Sequence, residues 1–196
     1  MDDRSAAELV MSATDGDEDA WHALVDRFTG LTWSIARAHR LGAEDAADVV
    51  QTSWLRLVEH LGNLREPDRV GAWLAATVRH ESRRVLRQAS RERPGVEPTD
   101  DVPDTTEESS PETAVLESER RAALWQQLEQ LPQRCRSLLR VLAASPPPSY
   151  AEVAEALDIP VGSIGPTRAR CLGHLRNAMS SPGATPVLQP RSRPAG

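Results

Sequence analysis

Residues 149–176 read SYAEVAEALDIPVGSIGPTRARCLGHLR, and this stretch decides the fold of the C-terminal half. Ser149 with Glu152 three positions later is a capping-box pattern, which predicts the start of a short helix. Residues 158–162 contain Pro and Gly and predict a turn, after which Ser163 is expected to cap a second helix. Apolar residues recur at helical spacing on both sides, with Ile159 filling the angle between the helices. The pattern predicts a helix-turn-helix, a motif that binds DNA.

The second helix of such a motif enters the major groove by its first turns. The residues expected to face solvent there, and so to meet DNA, are Ser163, Gly165, Pro166, Thr167 and Arg170. The arginines that supply charge for phosphate contacts are Arg168, Arg170 and Arg176. The alternative is an ordinary helical hairpin with a solvated arginine face, which the combined spacing disfavours.

Upstream of this motif, apolar residues recur every three or four positions, which predicts amphipathic helices over about 17–40, 44–61 and 67–91. A short helix over 5–13 is expected to pack against them. Two more helices are predicted over 112–131 and 133–144, separated by Pro132. Because no alternating strand pattern appears, the sequence predicts an all-α protein with two small helical domains.

Residues 93–111, RPGVEPTDDVPDTTEESSP, are acidic and rich in proline, which predicts a flexible linker. The tail from residue 181 is rich in Pro, Ser and Gly and is expected to be disordered. The predicted domains are therefore 1–92 and 112–180, joined by the linker 93–111 and followed by the tail 181–196.

Composition excludes several classes of protein. The five histidines are dispersed, and no nucleophile–base set, phosphate-binding glycine loop or metal-ligand cluster is present, so an enzyme or a cofactor-binding protein is not expected. Cys135 and Cys171 lie far apart and are expected to be small core residues rather than a disulfide or a zinc site.

No run of eighteen apolar residues and no signal-peptide pattern appears, which predicts a cytoplasmic protein without membrane insertion. The net charge of −6 is unevenly distributed, so it does not argue against a DNA-binding face.

Taken together, these stretches resemble the sigma-70 family of bacterial RNA polymerase sigma factors. The residues SYAEVAEALDIPVGSIGPTRARCL resemble region 4, DAADVVQTSWLRLVEHL resembles region 2.2, and GAWLAATVRHESRRVLR resembles regions 2.3 and 2.4. The resemblance covers roughly 17–91 and 115–176, with a linker where larger members carry a third domain. That organisation resembles the extracytoplasmic-function (ECF) type.

The resemblance implies that the protein binds core RNA polymerase and directs promoter-specific transcription initiation. The positions that match the family's polymerase-docking helix are Asp48, Gln51, Leu55 and Arg56. The helix that would hold the single-stranded −10 element, with one base flipped into a pocket, carries Arg79, His80, Arg83, Arg84, Arg87 and Arg91. Trp73 is a further −10 candidate, although its place in the apolar period favours core packing. His80 stands where the family often has Asn.

The same resemblance assigns the −35 element to Ser163, Gly165, Pro166, Thr167, Arg168 and Arg170. Where the family commonly has Lys or Arg, then Ser, then Arg, this chain has Gly165, Pro166 and Thr167. The promoter sequence therefore cannot be copied from relatives. Pro166 is expected in the first helical turn, where it is tolerated. The acidic linker would imitate nucleic acid in the polymerase channel, and an anti-sigma factor is a common partner in the family. The rival interpretation is a helix-turn-helix repressor or activator that binds duplex DNA as a dimer without polymerase.

Overall fold

The computed structural model describes residues 2–92 and 124–180, in which all regular secondary structure is helical. The helices are α1 (Ala6–Thr14), α2 (Glu18–Ala38), α3 (Ala43–His60), α4 (Val70–Glu92), α5 (described over 124–129), α6 (Gln133–Leu142), α7 (Tyr150–Leu157) and α8 (Val161–Ser180). Short 3-10 turns over Leu61–Asn63 and Pro67–Arg69 connect α3 to α4. The all-α prediction is confirmed. The predicted linker 93–111 and the tail 181–196 lie outside the described residues.

The N-terminal half, α1 to α4, is a bundle built on the apolar faces that the sequence predicted. Ser5 caps α1 through a capping box with Glu8, and the side chain of Asp17 accepts a hydrogen bond from Ala20 N at the start of α2. These side chains satisfy amide groups that have no partner inside the helix. The bundle encloses fully buried residues from every helix, including Leu9, Leu24, Ile35, Leu57, Leu74 and Val78.

The C-terminal half contains the helix-turn-helix. The capping box of Ser149 and Glu152 at the start of α7 is confirmed, and Asp158 ends that helix in the left-handed conformation, with φ 58°. Asp tolerates this conformation better than most residues because its short side chain hydrogen-bonds locally. The turn brings α7 and α8 together around Val153 and Ile164, both fully buried.

The two halves pack against each other, because α6 and α7 lie on α2 and α4 and share one continuous apolar core with them. Ser137 Oγ donates to the backbone oxygen of Ala38 at 2.9 Å across this contact. The backbones approach so closely that a Cβ on Gly30 would overlap the carbonyl oxygen of Ser145. One side of α4 is consequently covered by the C-terminal half.

Cys135 of α6 and Cys171 of α8 form a disulfide, with their Cα atoms 5.2 Å apart. Both residues are buried, as predicted for core positions, but the expectation that they are not disulfide-bonded was wrong. Their separation of 36 residues concealed the pairing, because only the packing of α6 on α8 brings the two side chains together.

The start of α8 also differs from the prediction. The helix begins at Val161, so Ser163 lies within the first turn rather than at the cap, and its hydroxyl donates to the backbone oxygen of Pro160 at 2.7 Å. Pro166 is therefore the sixth residue of α8, beyond the first turn, and α8 lacks the backbone hydrogen bond that a residue with an N–H would make there. Among the described residues, no helix is both long enough and apolar enough to cross a membrane.

Candidate nucleic-acid interface

The outer face of α3 carries the four residues predicted to dock on polymerase, and all of them are exposed: Asp48, Gln51, Leu55 and Arg56. Leu55 exposes 58 % of its surface. Val58, three positions further on, exposes 57 % and continues the same strip, although the sequence analysis missed it. Helical spacing from Gln51 and Leu55 could have found it. The face is therefore a polar and apolar strip of the kind that binds another helix.

The arginines of α4 fall into two groups. Arg79 and Arg83 lie on the side that faces the C-terminal half, where each forms an ion pair of 3.3 Å with Asp158. Only 10 % of the Arg79 side chain is exposed, whereas Arg83 is 41 % exposed. Arg87 and Arg91 are exposed further along α4. In this closed arrangement, part of the arginine strip is thus occupied by an acidic residue from the other half.

The second group is organised by Glu81, which the sequence analysis missed. Its side chain is only 4 % exposed, and its carboxylate forms ion pairs with Arg56 of α3 at 2.8 Å and with Arg84 of α4 at 2.7 Å. The spacing of three positions between Glu81 and Arg84 was a readable signal for one of these pairs. The other pair, between two helices, had no signal in the sequence.

Two histidines lie beside the arginines. His80 is exposed, and its Nε2 atom lies 3.5 Å from Arg79 Nη2. His39, which the sequence analysis did not single out, sits at the contact between the halves next to the backbone of Ala156. Burial lowers the pKa of His39 below its usual value; the hydrogen bond to Ala156 opposes this shift, and the charges of Arg83 and Arg79 add to it.

Trp73 is half-buried and packs against the core, with its ring 6.0 Å from that of His60. It also lines a cleft of about 470 Å³ formed with the segment before α4, which contributes Arg65 and Arg69. Glu66 and a glutamate of α7 also line the cleft, and Glu66 forms an ion pair of 2.8 Å with Arg69. The cleft therefore offers an aromatic ring on which an unstacked base could lie, with both basic and acidic side chains at its border.

The DNA-facing residues predicted on α8 are only partly accessible. Pro166, Arg168 and Arg170 are exposed, and Ser163 and Gly165 are half-buried. Thr167 is only 8 % exposed, so the prediction that it faces solvent was wrong. It lines a small cavity with Ala38 and Leu157 because the rotation of α8 is set by Ile164 and Cys171, which anchor it to the core.

Comparison with known proteins gives the following similarities. The family model described as Sigma-70 region 2 matches residues 24–92. The chain is 26% identical over 164 residues to the RNA polymerase sigma-H factor of Pseudomonas aeruginosa, covering 80% of this chain and 84% of that protein. It is 27% identical over 167 residues to the ECF RNA polymerase sigma-E factor of Escherichia coli K12, with the same coverage of each chain.

Two solved structures are similar in fold. One is CnrH in complex with the cytosolic domain of CnrY, with a TM-score of 0.57 and 22% identity over 90% of this chain and 98% of that one. The other is the sigma factor RpoE in complex with the anti-sigma factor NepR from Bartonella quintana, with a TM-score of 0.61 and 18% identity over 84% of this chain and 99% of that one. The arrangement of helices in both halves is therefore shared with these proteins.

Proposed function

We propose that this chain docks on core polymerase through α3 and holds promoter DNA through α4 and α8. It belongs to the sigma-70 family and is an RNA polymerase sigma factor of the extracytoplasmic-function type. It directs promoter-specific transcription initiation with RNA polymerase. The observation that carries the residue assignment is the placement of two different surfaces on one bundle. The exposed strip of α3 lies beside an arginine-rich strip on α4, with Arg56 and Arg84 joined to the same carboxylate.

The polymerase surface consists of Asp48, Gln51, Leu55 and Arg56, extended by Val58. The two exposed aliphatic side chains supply apolar area to be buried, and the polar residues beside them set the register of a partner helix. Other exposed apolar side chains occur in the described residues, but Leu55 and Val58 stand together on one helix face. A coiled coil of the polymerase fits such a narrow strip.

The −10 surface consists of Arg79, His80, Arg83, Arg84 and Arg87, with the cleft beside Trp73. Arginine neutralises phosphates, and an aromatic ring next to a cleft supports an unstacked base. Arg79 reaches DNA only after the two halves separate, because in the closed arrangement it is buried under Asp158. Binding to polymerase would supply the free energy for that separation.

The −35 surface is the start of α8, where Pro166, Arg168 and Arg170 are exposed and Ser163 and Gly165 are half-buried. We propose that the arginines carry base and phosphate contacts, because Gly165 and Pro166 offer no side-chain donor. Thr167 is left out of this surface because it is buried. Recognition of the promoter by this surface would use few side-chain hydrogen bonds to bases and would depend more on contacts to the DNA backbone.

The domains proposed for this function are 1–92 for polymerase and the −10 element, 93–111 as the acidic linker, 112–180 for the −35 element and 181–196 as a tail. The linker's acidic composition suits a basic polymerase channel. The protein would act in the cytoplasm as a binding factor and not as an enzyme. Because both structural neighbours are in complex with a partner protein, and one of these partners is an anti-sigma factor, an anti-sigma factor that binds the closed arrangement is a further expected partner.

In vitro transcription tests this function. The purified chain is combined with core polymerase and a promoter library randomised at the −10 and −35 elements, and the transcribed templates are sequenced. A sigma factor enriches a two-part promoter only when core is present. Tight, sequence-specific binding to duplex DNA without core, and no transcript, would establish the repressor or activator alternative instead.

A further inference from the structure

Glu81 is a carboxylate placed where an apolar residue would ordinarily lie. It sits on α4 between Val78 and Val85, and only 4 % of its side chain is exposed. Its neighbour Ser82 is fully buried. A charge in such a place is costly to desolvate unless donors surround it, so its presence requires an explanation beyond core packing.

The two oxygens of Glu81 hold two different arginines. Oε1 lies 2.8 Å from Arg56 Nη2, and Oε2 lies 2.7 Å from Arg84 Nε. Both arginine side chains remain about half exposed, at 46 % and 57 %. Arg84 uses its Nε–H for Glu81, so the outer part of its guanidinium, with four further N–H groups, points away from this contact. Glu81 therefore holds Arg84 at the base of its guanidinium and Arg56 by one terminal nitrogen, and the remaining N–H groups of both arginines are left for a partner.

From this geometry we infer that Glu81 is a positioning residue that couples polymerase docking to DNA binding. It orients Arg56 toward polymerase and Arg84 toward the −10 strand through one carboxylate. This inference rests on the proposed function, which places the two arginines on separate binding surfaces. Because long arginine side chains lose conformational freedom when they bind, holding both in advance reduces that loss for each partner.

A shared carboxylate also makes the two contacts dependent on each other. When polymerase fixes Arg56, the carboxylate between the arginines is fixed as well, and Arg84 is then held more firmly for a phosphate. The same coupling operates from DNA to polymerase, because binding linkage is reciprocal. Arg87 lies on the same helix but is not paired with Glu81, so its contribution to DNA binding is independent of this carboxylate.

The test is a set of double-mutant cycles on the full-length chain. E81Q keeps the shape of the side chain but removes its charge and offers an N–H where one arginine needs an acceptor. E81Q, R84A, R87A and both double variants are compared for open-complex formation with core polymerase on a promoter recovered from the library. E81Q, R56A, Q51A and their double variants are compared for binding to core alone.

We expect R84A to weaken open-complex formation by about tenfold in the native background and by only about twofold with E81Q, because contacting residues are not additive. R87A is expected to cause the same loss in both backgrounds. On core binding, R56A is expected to lose most of its effect in the E81Q background, whereas Q51A keeps its effect. E81D, which retains the charge, is expected to restore part of the coupling.

Additive effects of E81Q with both R84A and R56A would overturn the inference, because Glu81 would then act only on the stability of the bundle. Thermal unfolding of every variant separates the two cases: a structural role lowers all activities in proportion to stability. If R84A and R56A have no effect in the native background, the assignment of the surfaces fails instead. The failure of the coupling and the failure of the proposed surfaces are thus distinguished.

Discussion

The carboxylate of Asp158 lies 3.3 Å from the guanidinium of Arg79, and this contact joins the turn of the helix-turn-helix to the helix assigned to the −10 element. Arg83 binds the same carboxylate. An acidic side chain of the C-terminal half therefore occupies arginines that the proposed function assigns to phosphate contacts of the N-terminal half. In the closed arrangement the chain contacts itself where it would contact DNA.

Asn in place of Asp158 should loosen this contact. D158N leaves Arg79 largely buried without its counter-charge, which lowers the free energy of unfolding. We expect a loss of only about 1 kcal/mol, because Asp158 is itself more than half exposed and solvent screens the ion pair. It should also raise the affinity for a single-stranded oligonucleotide at low salt, measured by fluorescence anisotropy. D26N, which removes an exposed charge elsewhere, serves as the control; equal affinities of the two variants would contradict the prediction.

Acidification should weaken the closed arrangement through His39. Its pKa is lowered in the folded chain, so the folded state binds fewer protons than the unfolded state. The contribution of neutral His39 to the free energy of unfolding is fully present above the ordinary histidine pKa of about 6.5. It is lost as the pH falls below that value and through the lowered pKa of the folded state. Arg79 and Arg83 face the imidazole from α4, with Asp158 paired to both, and the backbone of Ala156 faces it from α7.

Urea unfolding between about pH 5 and pH 8 measures this dependence. The slope of stability against pH should flatten in H39Q and persist in H22Q, since His22 is exposed on α2. An unchanged slope in H39Q would assign the dependence to other groups.

The close approach of the two halves predicts a specific cost for a methyl group at position 30. In G30A the new Cβ meets the backbone of Ser145, which cannot move aside as a flexible side chain would. We expect a loss of about 2 kcal/mol of stability, or separation of the halves with a larger radius of gyration in X-ray scattering. G173A, where nothing lies within 4 Å of the new Cβ, should be neutral or stabilising.

Reduction should destabilise the C-terminal half. The disulfide of Cys135 and Cys171 closes a loop over a separation of 36 residues, which corresponds to about 3 to 4 kcal/mol in the chain-entropy description. Thermal unfolding with and without dithiothreitol should show a lower midpoint for the reduced native chain. C135A/C171A should be insensitive to the reductant; sensitivity in this variant would place the effect elsewhere.

Local sequence determined which segments are helical, although α8 begins at Val161 and not after a cap at Ser163 as predicted. The capping boxes at Ser5 and Ser149 needed no tertiary information, because each side chain bonds to an amide three residues away. Ser5 itself was predicted only as the first residue of its helix. The family resemblance implied that Leu55 lies on the docking face of α3, and Leu55 is exposed there. The roles of the site residues remain predictions.

The sequence by itself determined which elements form and which family they resemble; tertiary structure decided which charges on different helices meet. Periodicity shows that a helix has a buried face but not which helix covers it, so the burial of Thr167 and the pairing of the cysteines were unpredictable. The contacts of Arg79 with Asp158 and of Glu81 with Arg56 join residues on different helices. Their energy depends on distance in space, which no spacing along the chain encodes.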